Sequence, residues 1–196
     1  MANPLQFQFV MSATDVDQLP PTTSEIAVVG RSNVGKSSLL NALANRKGLA
    51  MVSKTPGRTR LINLFTLEGV GTMVDLPGYG SAAVSAKVRN SWQEMIEGYL
   101  LEREALSRVL VLVDGEIGPT RSDVQMIEWV QAHGLPYAVI ATKHDKVKAS
   151  KRDKRKQDLA AGCNLAPSEI VWVSAAKNVG IDGLRTLMLR WFADVD

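Results

Sequence analysis

The sequence predicts an α/β fold: a mostly parallel, six-stranded sheet with helices on both faces. Three observations carry this. Short apolar, β-branched runs recur along the 196 residues. Longer stretches with apolar side chains at helical spacing lie between most of them. The last three runs are continuously apolar, as strands buried on both faces should be. Alternation of this kind sets a parallel sheet between two helical layers.

Residues 1–23 read as an N-terminal extension. Within it Phe7–Ser12 is a candidate edge strand and "QLPPTTS" a rigid connector. Residues 24–196 then form one domain. Glu25–Val29, "EIAVV", is its first strand and ends in Gly30; Ser37–Asn45 is the helix that follows. Leu61–Leu67 and Gly71–Asp75 read as an antiparallel pair across a Glu68-Gly69-Val70-Gly71 turn. Ser85–Arg103 places Val88, Trp92, Met95, Ile96, Tyr99 and Leu100 on one helical face. The strands Arg108–Asp114, Tyr137–Thr142 and Ile170–Ser174 then alternate with the helices Asp123–His133, Lys151–Ala161 and Ile181–Phe192. In the last helix Leu184, Leu187, Met188 and Trp191 make the apolar stripe. These Met and Trp stripes read as core.

Hydrophobic residues make up 45% and charged residues 22%, the balance of a soluble globular protein. The single Cys163 excludes an intramolecular disulfide framework and fits a reducing cytosol. No His lies beside it in sequence to make it a nucleophile. No apolar run approaches the ~20 residues of a membrane span. The start "MANPLQFQFV" lacks the basic region and apolar core of a signal peptide. A cytoplasmic, non-membrane, monomeric protein is expected. The net charge of +3 is unevenly spread: "KHDKVKASKRDKRK" carries eight Lys or Arg against two Asp.

In parallel sheets, ligands bind beyond the carboxyl ends of the strands. Four loops at such ends carry chemistry. Gly30-Arg31-Ser32-Asn33-Val34-Gly35-Lys36-Ser37 matches G-x-x-x-x-G-K-[ST] between a strand and a helix. Its glycines let backbone N–H groups turn around phosphate oxygens, and the helix N-terminus adds its dipole. Lys36 reaches the β- and γ-phosphates, and the Ser37 hydroxyl, next to Ser38, suits Mg²⁺. The second loop is Asp75-Leu76-Pro77-Gly78. Asp75 ends a strand, where it would hold Mg²⁺ through water; the Gly78 N–H would meet the γ-phosphate. The third, Thr142-Lys143-His144-Asp145, suits guanine. The Asp145 carboxylate accepts from the ring N1–H and the exocyclic amine, which adenine does not offer in that place. The Lys143 stem packs over the base, Thr142 fixes the loop, and His144 reads as a surface side chain without a partner. In the fourth, Ser174-Ala175-Ala176-Lys177, small residues let backbone N–H groups approach the guanine O6.

A long connection, "GLAMVSKTPGRTR", separates the first helix from the next strand. It is glycine-punctuated, as an order–disorder element should be. Thr59 is its preferred Mg²⁺ ligand because it lies just before the strand; Thr55 is the rival. The candidate catalytic set is Lys36, Thr59 and Gly78, and the metal set is Ser37, Thr59 and Asp75 (through water). Gly57, Arg58, Arg60 and Leu61 join the nucleotide contacts.

The order phosphate loop, D-x-x-G, [NT]-K-x-D, S-A-x is that of the translation-factor class of P-loop GTPases. Within it, "GRSNVGKSSLLNAL", "KTPGRTRLINLF", "DLPGYG" and "TKHDK" closely resemble the bacterial EngB family, from about Phe9 to the C-terminus. The resemblance implies a small GTPase domain with a mixed six-stranded sheet. It also implies a role in assembly of the large ribosomal subunit, whose loss disturbs growth and septation, and Thr59 closing onto Mg²⁺ and the γ-phosphate.

Ras-type GTPases orient the attacking water with a Gln directly after the D-x-x-G glycine. Tyr79 stands there, and a phenol of pKa ~10 is a poor base at neutral pH. Slow intrinsic turnover is therefore expected, with help from elsewhere. Asn33 matches the asparagine by which related GTPases hold K⁺, and the ribosomal partner is the other source. Arg58 and Arg60 suit rRNA contact better than an internal arginine finger. The stretch Lys146–Lys156, with seven basic residues in eleven, suits the phosphates of structured RNA. Competing readings are a P-loop phosphotransferase and a scaffold that binds nucleotide without hydrolysing it.

Overall fold

Seven strands, in the order β1-β3-β4-β2-β5-β6-β7, form one sheet in the computed structural model, which describes residues 3–50, 61–79 and 86–194. They are β1 (Gln8–Ala13), β2 (Glu25–Gly30), β3 (Ile62–Leu67), β4 (Gly71–Asp75), β5 (Leu106–Asp114), β6 (Tyr137–Thr142) and β7 (Ile170–Trp172). The six strands of the expected core are present, and the N-terminal candidate adds a seventh at the edge. β3 is antiparallel to both β1 and β4, and the other pairs are parallel. β2 lies between β4 and β5 and is buried along its whole length. Its carboxyl end therefore opens where the connections diverge to the two sides of the sheet, the usual ligand crevice.

The helices are α1 (Lys36–Leu43), α2 (Ala86–Glu102), α3 (Arg121–Ala132), α4 (Arg152–Gly162) and α5 (Ile181–Ala193). One core joins Ile96, Tyr99 and Leu100 of α2, Ile127 and Val130 of α3 and Leu159 of α4 to one sheet face. The other packs Leu39, Leu40 and Leu43 of α1 with Ile181, Leu184, Met188 and Phe192 of α5 on the opposite face. In α5 the expected stripe holds: Leu184 and Met188 are fully buried, Leu187 and Trp191 half-buried. α4 buries only Leu159 and Ala160, so its basic residues are left at the surface.

Two polar networks hold the scaffold. Arg185 of α5 donates through Nε to Leu43 O at 2.9 Å and through Nη2 to Ala42 O at 2.7 Å. A guanidinium there satisfies last-turn carbonyls of α1 and opposes the negative end of its dipole. At the amino end of the sheet, Glu25 is fully buried. It accepts from Thr72 Oγ1 at 2.7 Å, Tyr99 OH at 2.6 Å and Arg103 Nε at 2.7 Å. Arg103 also donates to Pro20 O at 2.6 Å, fixing the connector that follows β1. β2, β4 and α2 are thereby joined at one point.

Candidate nucleotide site

The loop after β2 turns through two left-handed residues, Asn33 (φ 66°) and Gly35 (φ 110°), before α1 begins at Lys36. At Gly35 a side chain would be strained, so glycine is required there. Thr142, at the end of β6, ties this loop down: its Oγ1 donates to Val34 O at 2.7 Å. The phosphate loop and the expected base-reading loop are thus joined by one buried hydroxyl, across 108 positions of sequence.

Lys36 curls back over the loop, with Nζ 3.4 Å from Gly30 O. Burial lowers its pKa, and the nearby Asp75 carboxylate opposes that shift. Asp75 is 4% exposed, and its Oδ1 has no hydrogen-bond partner among the described residues. Burial pushes its pKa up to about 6 against the pull of Lys36. The orphaned, buried Asp75 carboxylate oxygen and the hydroxyl of Ser37, in the first turn of α1, are hard oxygen donors of the kind Mg²⁺ takes. Gly78 lies against the loop: a Cβ there would be 3.0 Å from Ser32 N and 3.1 Å from Lys36 Nζ. Ser32 N–H donates to Tyr79 O at 3.1 Å.

Tyr79 does not present its phenol to this space. Its ring packs against the core shared by α2, α3 and α4, and its hydroxyl donates to Asp123 Oδ1 at 3.2 Å. Burial, and then the Asp123 carboxylate, push its pKa well above the usual value.

At the base-reading end, Asp145 Oδ1 accepts from the Ser174 hydroxyl at 2.6 Å, and that hydroxyl accepts from Lys177 N–H at 3.0 Å. The third and fourth loops are therefore one unit, and the Asp145 carboxylate retains acceptor capacity for a base. Lys143 is left-handed (φ 56°), and its Nζ pairs with Asp114 at 2.6 Å. His144 departs from the expected surface position, although its Nε2 has no hydrogen-bond partner among the described residues. It is half-buried, with its ring edge-on to Trp172 at 5.6 Å, and its main-chain N–H donates to Val173 O. Burial lowers its pKa, helped by Arg152 and Lys156. The apolar strand β7 ends in Trp172, which is what covers it.

Gly30, which ends β2, is buried, and Val34 is packed into the core beside α1; Arg31, Ser32, Ser37 and Ser38 are half-buried, and the Asn33 side chain is exposed. Leu76 is buried behind Asp75, and Leu61 is exposed. Gly57, Arg58, Thr59 and Arg60 lie outside the described residues. Two acids were not singled out from the sequence. Asp114 ends β5 as Asp75 ends β4, and that shared position was the available signal. Asp123 accepts from both Thr120 N and Thr120 Oγ1 at 2.8 Å, a T-x-x-D helix-start pattern readable in the sequence.

A doubly covered sheet with a phosphate loop after β2 and this loop order defines a P-loop GTPase. Residues 25–143 match the family model described as "50S ribosome-binding GTPase". The chain is 48% identical over 186 residues to "Probable GTP-binding protein EngB" of Pelotomaculum thermopropionicum, covering 94% of each. It is 50% identical over 148 residues to the protein of that name from Thermotoga maritima, covering 76% of this chain and 75% of that one. The crystal structure of a probable GTP-binding protein EngB superposes with a TM-score of 0.72 at 23% identity, over 87% of this chain and 100% of the other. Era, solved with MgGDPNP and nucleotides 1506–1542 of 16S ribosomal RNA, gives 0.68 at 26% identity, over 86% and 56%. The chain belongs to the EngB family of GTP-binding proteins. It binds GTP and GDP and hydrolyses GTP to GDP and phosphate. Among the described residues no helix is long and apolar enough to cross a membrane.

Proposed function

We propose that this GTPase is a switch in assembly of the large ribosomal subunit in the cytoplasm, with slow intrinsic turnover and a consequent need in growth and septation. The observation that carries the nucleotide reading is the pair of ties Thr142–Val34 and Ser174–Asp145, which join the first, third and fourth loops, while Gly78 of the second lies against the first. In this reading residues 24–196 are the GTP-binding domain, and the first 23 residues are an extension built onto its sheet edge. Gly30 to Ser38 cradle the phosphates, with Lys36 as the point charge between β and γ. Asp145 reads guanine, and Ser174 holds it for that task.

Ser37, Thr59 and Asp75 (through water) would hold Mg²⁺, which neutralises charge on the β- and γ-oxygens when bound. Gly78 N–H would engage the third phosphate. Tyr79, turned onto Asp123, is not placed to orient water, which supports slow turnover. The ribosomal subunit would supply most of the missing rate, with K⁺ near Asn33 contributing part of what an arginine finger, worth roughly 10³–10⁵ in rate, otherwise provides. The ribosomal assignment is supported by the matched family's description and by the exposed Lys146, Lys148, Lys151 and Lys154 around α4. Such a surface contacts RNA phosphates with little sequence preference.

Single-turnover GTP hydrolysis, with and without large ribosomal subunits and in K⁺ or Na⁺, tests this. Acceleration by the subunit, with a smaller gain in K⁺, is expected. Rates unaffected by subunits overturn the assembly-switch reading. Equal rates in K⁺ and Na⁺ remove the ion. Charge reversal at Lys151, Arg152, Lys154 and Arg155 should weaken co-sedimentation with the subunit while GTP affinity is kept.

A further inference from the structure

Asp123, at the start of α3, is completely buried, and its carboxylate gathers three segments. Arg31 Nε of the phosphate loop donates at 2.9 Å and Tyr79 OH at 3.2 Å, while Thr120 donates through N and Oγ1. The main chain repeats the link. Arg31 and Tyr79 form a parallel bridge, and Ser32 N–H donates to Tyr79 O at 3.1 Å. Gly78, the residue before Tyr79, is pressed onto the loop as a result. A methyl group at Gly78 would already crowd Ser32 N and Lys36 Nζ, at 3.0 and 3.1 Å. A phosphoryl group between the loop and Gly78 needs the two to part: the Lys36 ammonium can swing aside, but the Ser32 main chain, at 3.0 and 3.1 Å from such a methyl group, leaves Gly78 to withdraw. Withdrawal pulls on Tyr79 and opposes its bonds to Asp123 and Ser32. The Arg31–Asp123 pair lies between the loop and α3 and is spared.

We propose that Asp123 is a positioning residue for the third phosphate. It holds Tyr79, and through it Gly78, where a diphosphate fits. The Tyr79–Asp123 hydrogen bond is the side-chain part of that hold which GTP must release, beside the main-chain bond from Ser32 N–H to Tyr79 O. The proposal rests on the guanine-nucleotide reading above. It gives Tyr79 a use that its failure as a water-orienting residue does not: the phenol biases the resting protein toward GDP. A hydrogen bond to a charged, buried acceptor is strong enough to shift a binding ratio by about tenfold.

The test is the Kd of GDP and of a non-hydrolysable GTP analogue on the full chain, for wild type, Tyr79→Phe, Asp123→Asn and the double variant. Tyr79→Phe keeps the packed ring and removes only the hydroxyl. It should raise analogue affinity relative to GDP by about fivefold or more. Added to Asp123→Asn, the same change should shift the ratio less, because the neutral amide oxygen holds the phenol more weakly than the carboxylate does. An unchanged analogue-to-GDP ratio in Tyr79→Phe overturns the proposal, including when both affinities fall together with the melting temperature, as a purely structural role would produce. A wild-type chain that binds neither guanine nucleotide overturns the underlying site reading instead. If Asp123→Asn does not fold, the Tyr79→Phe ratio alone decides.

Discussion

Two buried carboxylates on neighbouring strands, at opposite ends of the sheet, have opposite surroundings. Glu25 opens β2, accepts from Thr72, Tyr99 and Arg103, and stitches three elements together. Asp75 closes β4, which pairs with β2 in parallel, and keeps a buried oxygen without a hydrogen-bond partner among the described residues. Buried polar groups are nearly always satisfied, so an orphan at a strand's carboxyl end marks function. The amino end of the sheet supplies stability. The carboxyl end gives some of it up, holding Asp75 and Lys36 near one another in a low-dielectric crevice before any phosphate or metal arrives.

Substitutions at the two ends should therefore separate stability from binding. The largest effect is expected at Glu25. Glu25→Ala strands the Tyr99 hydroxyl and the Arg103 guanidinium, and should cost about 3–5 kcal/mol of folding stability. Thermal unfolding should show a drop of roughly 6–20 °C. Nucleotide affinity of the folded fraction should not change; if it falls in parallel, the two ends are not separable. At the other end, Lys36→Met should weaken GDP by about a hundredfold or more, since a phosphate-binding cation is lost. The melting temperature without nucleotide should hold or rise, and a marked fall would place Lys36 in the scaffold. Thr142→Val removes the hydroxyl tie to Val34 and should cost about 1 kcal/mol. Calorimetry should show GDP binding weakened several-fold, because the phosphate and base loops lose their common anchor. The smallest effect is at Cys163, which is buried with its thiol pushed up to about 11 by burial and then by Asp123. Thiol reagents at pH 7.5 should leave the native protein unlabelled and label it once unfolded.

The parts of the fold legible in sequence were those written in local spacing. The strands followed from apolar runs, and the helix faces from their period. The phosphate loop was readable because all its groups fall within eight consecutive residues. What stayed hidden was the choice of partner over long separations. Arg31 meets Asp123 across 92 positions and Lys143 meets Asp114 across 29. An acid near a strand end or helix start does not say which cation the topology will bring to it. His144 was misread for the same reason. Nothing near it in sequence names a neighbour, but strand β7 brings Trp172 edge-on to the ring. Tyr79 stands in the sequence where a water-orienting glutamine would; that its hydroxyl has a buried acceptor on α3 required the fold.

The contrast between the two carboxylates is tested most directly by thermal unfolding of Asp75→Asn in metal-free buffer, without nucleotide, as a function of pH. The native pKa of Asp75, about 6, is raised above the usual 3.8. Between those values the folded protein binds more protons than the unfolded chain. Stability from this group therefore falls as pH rises through that window, and the penalty is fully present above it. The account predicts that Asp75→Asn is more stable than wild type at pH 7, by about 1–3 kcal/mol. The gain should shrink toward zero below about pH 4. The same variant should gain less stabilisation from Mg²⁺ with a GTP analogue. An Asp75→Asn protein less stable than wild type at pH 7 without nucleotide would contradict it, because Asp75 would then be part of the scaffold, as Glu25 is.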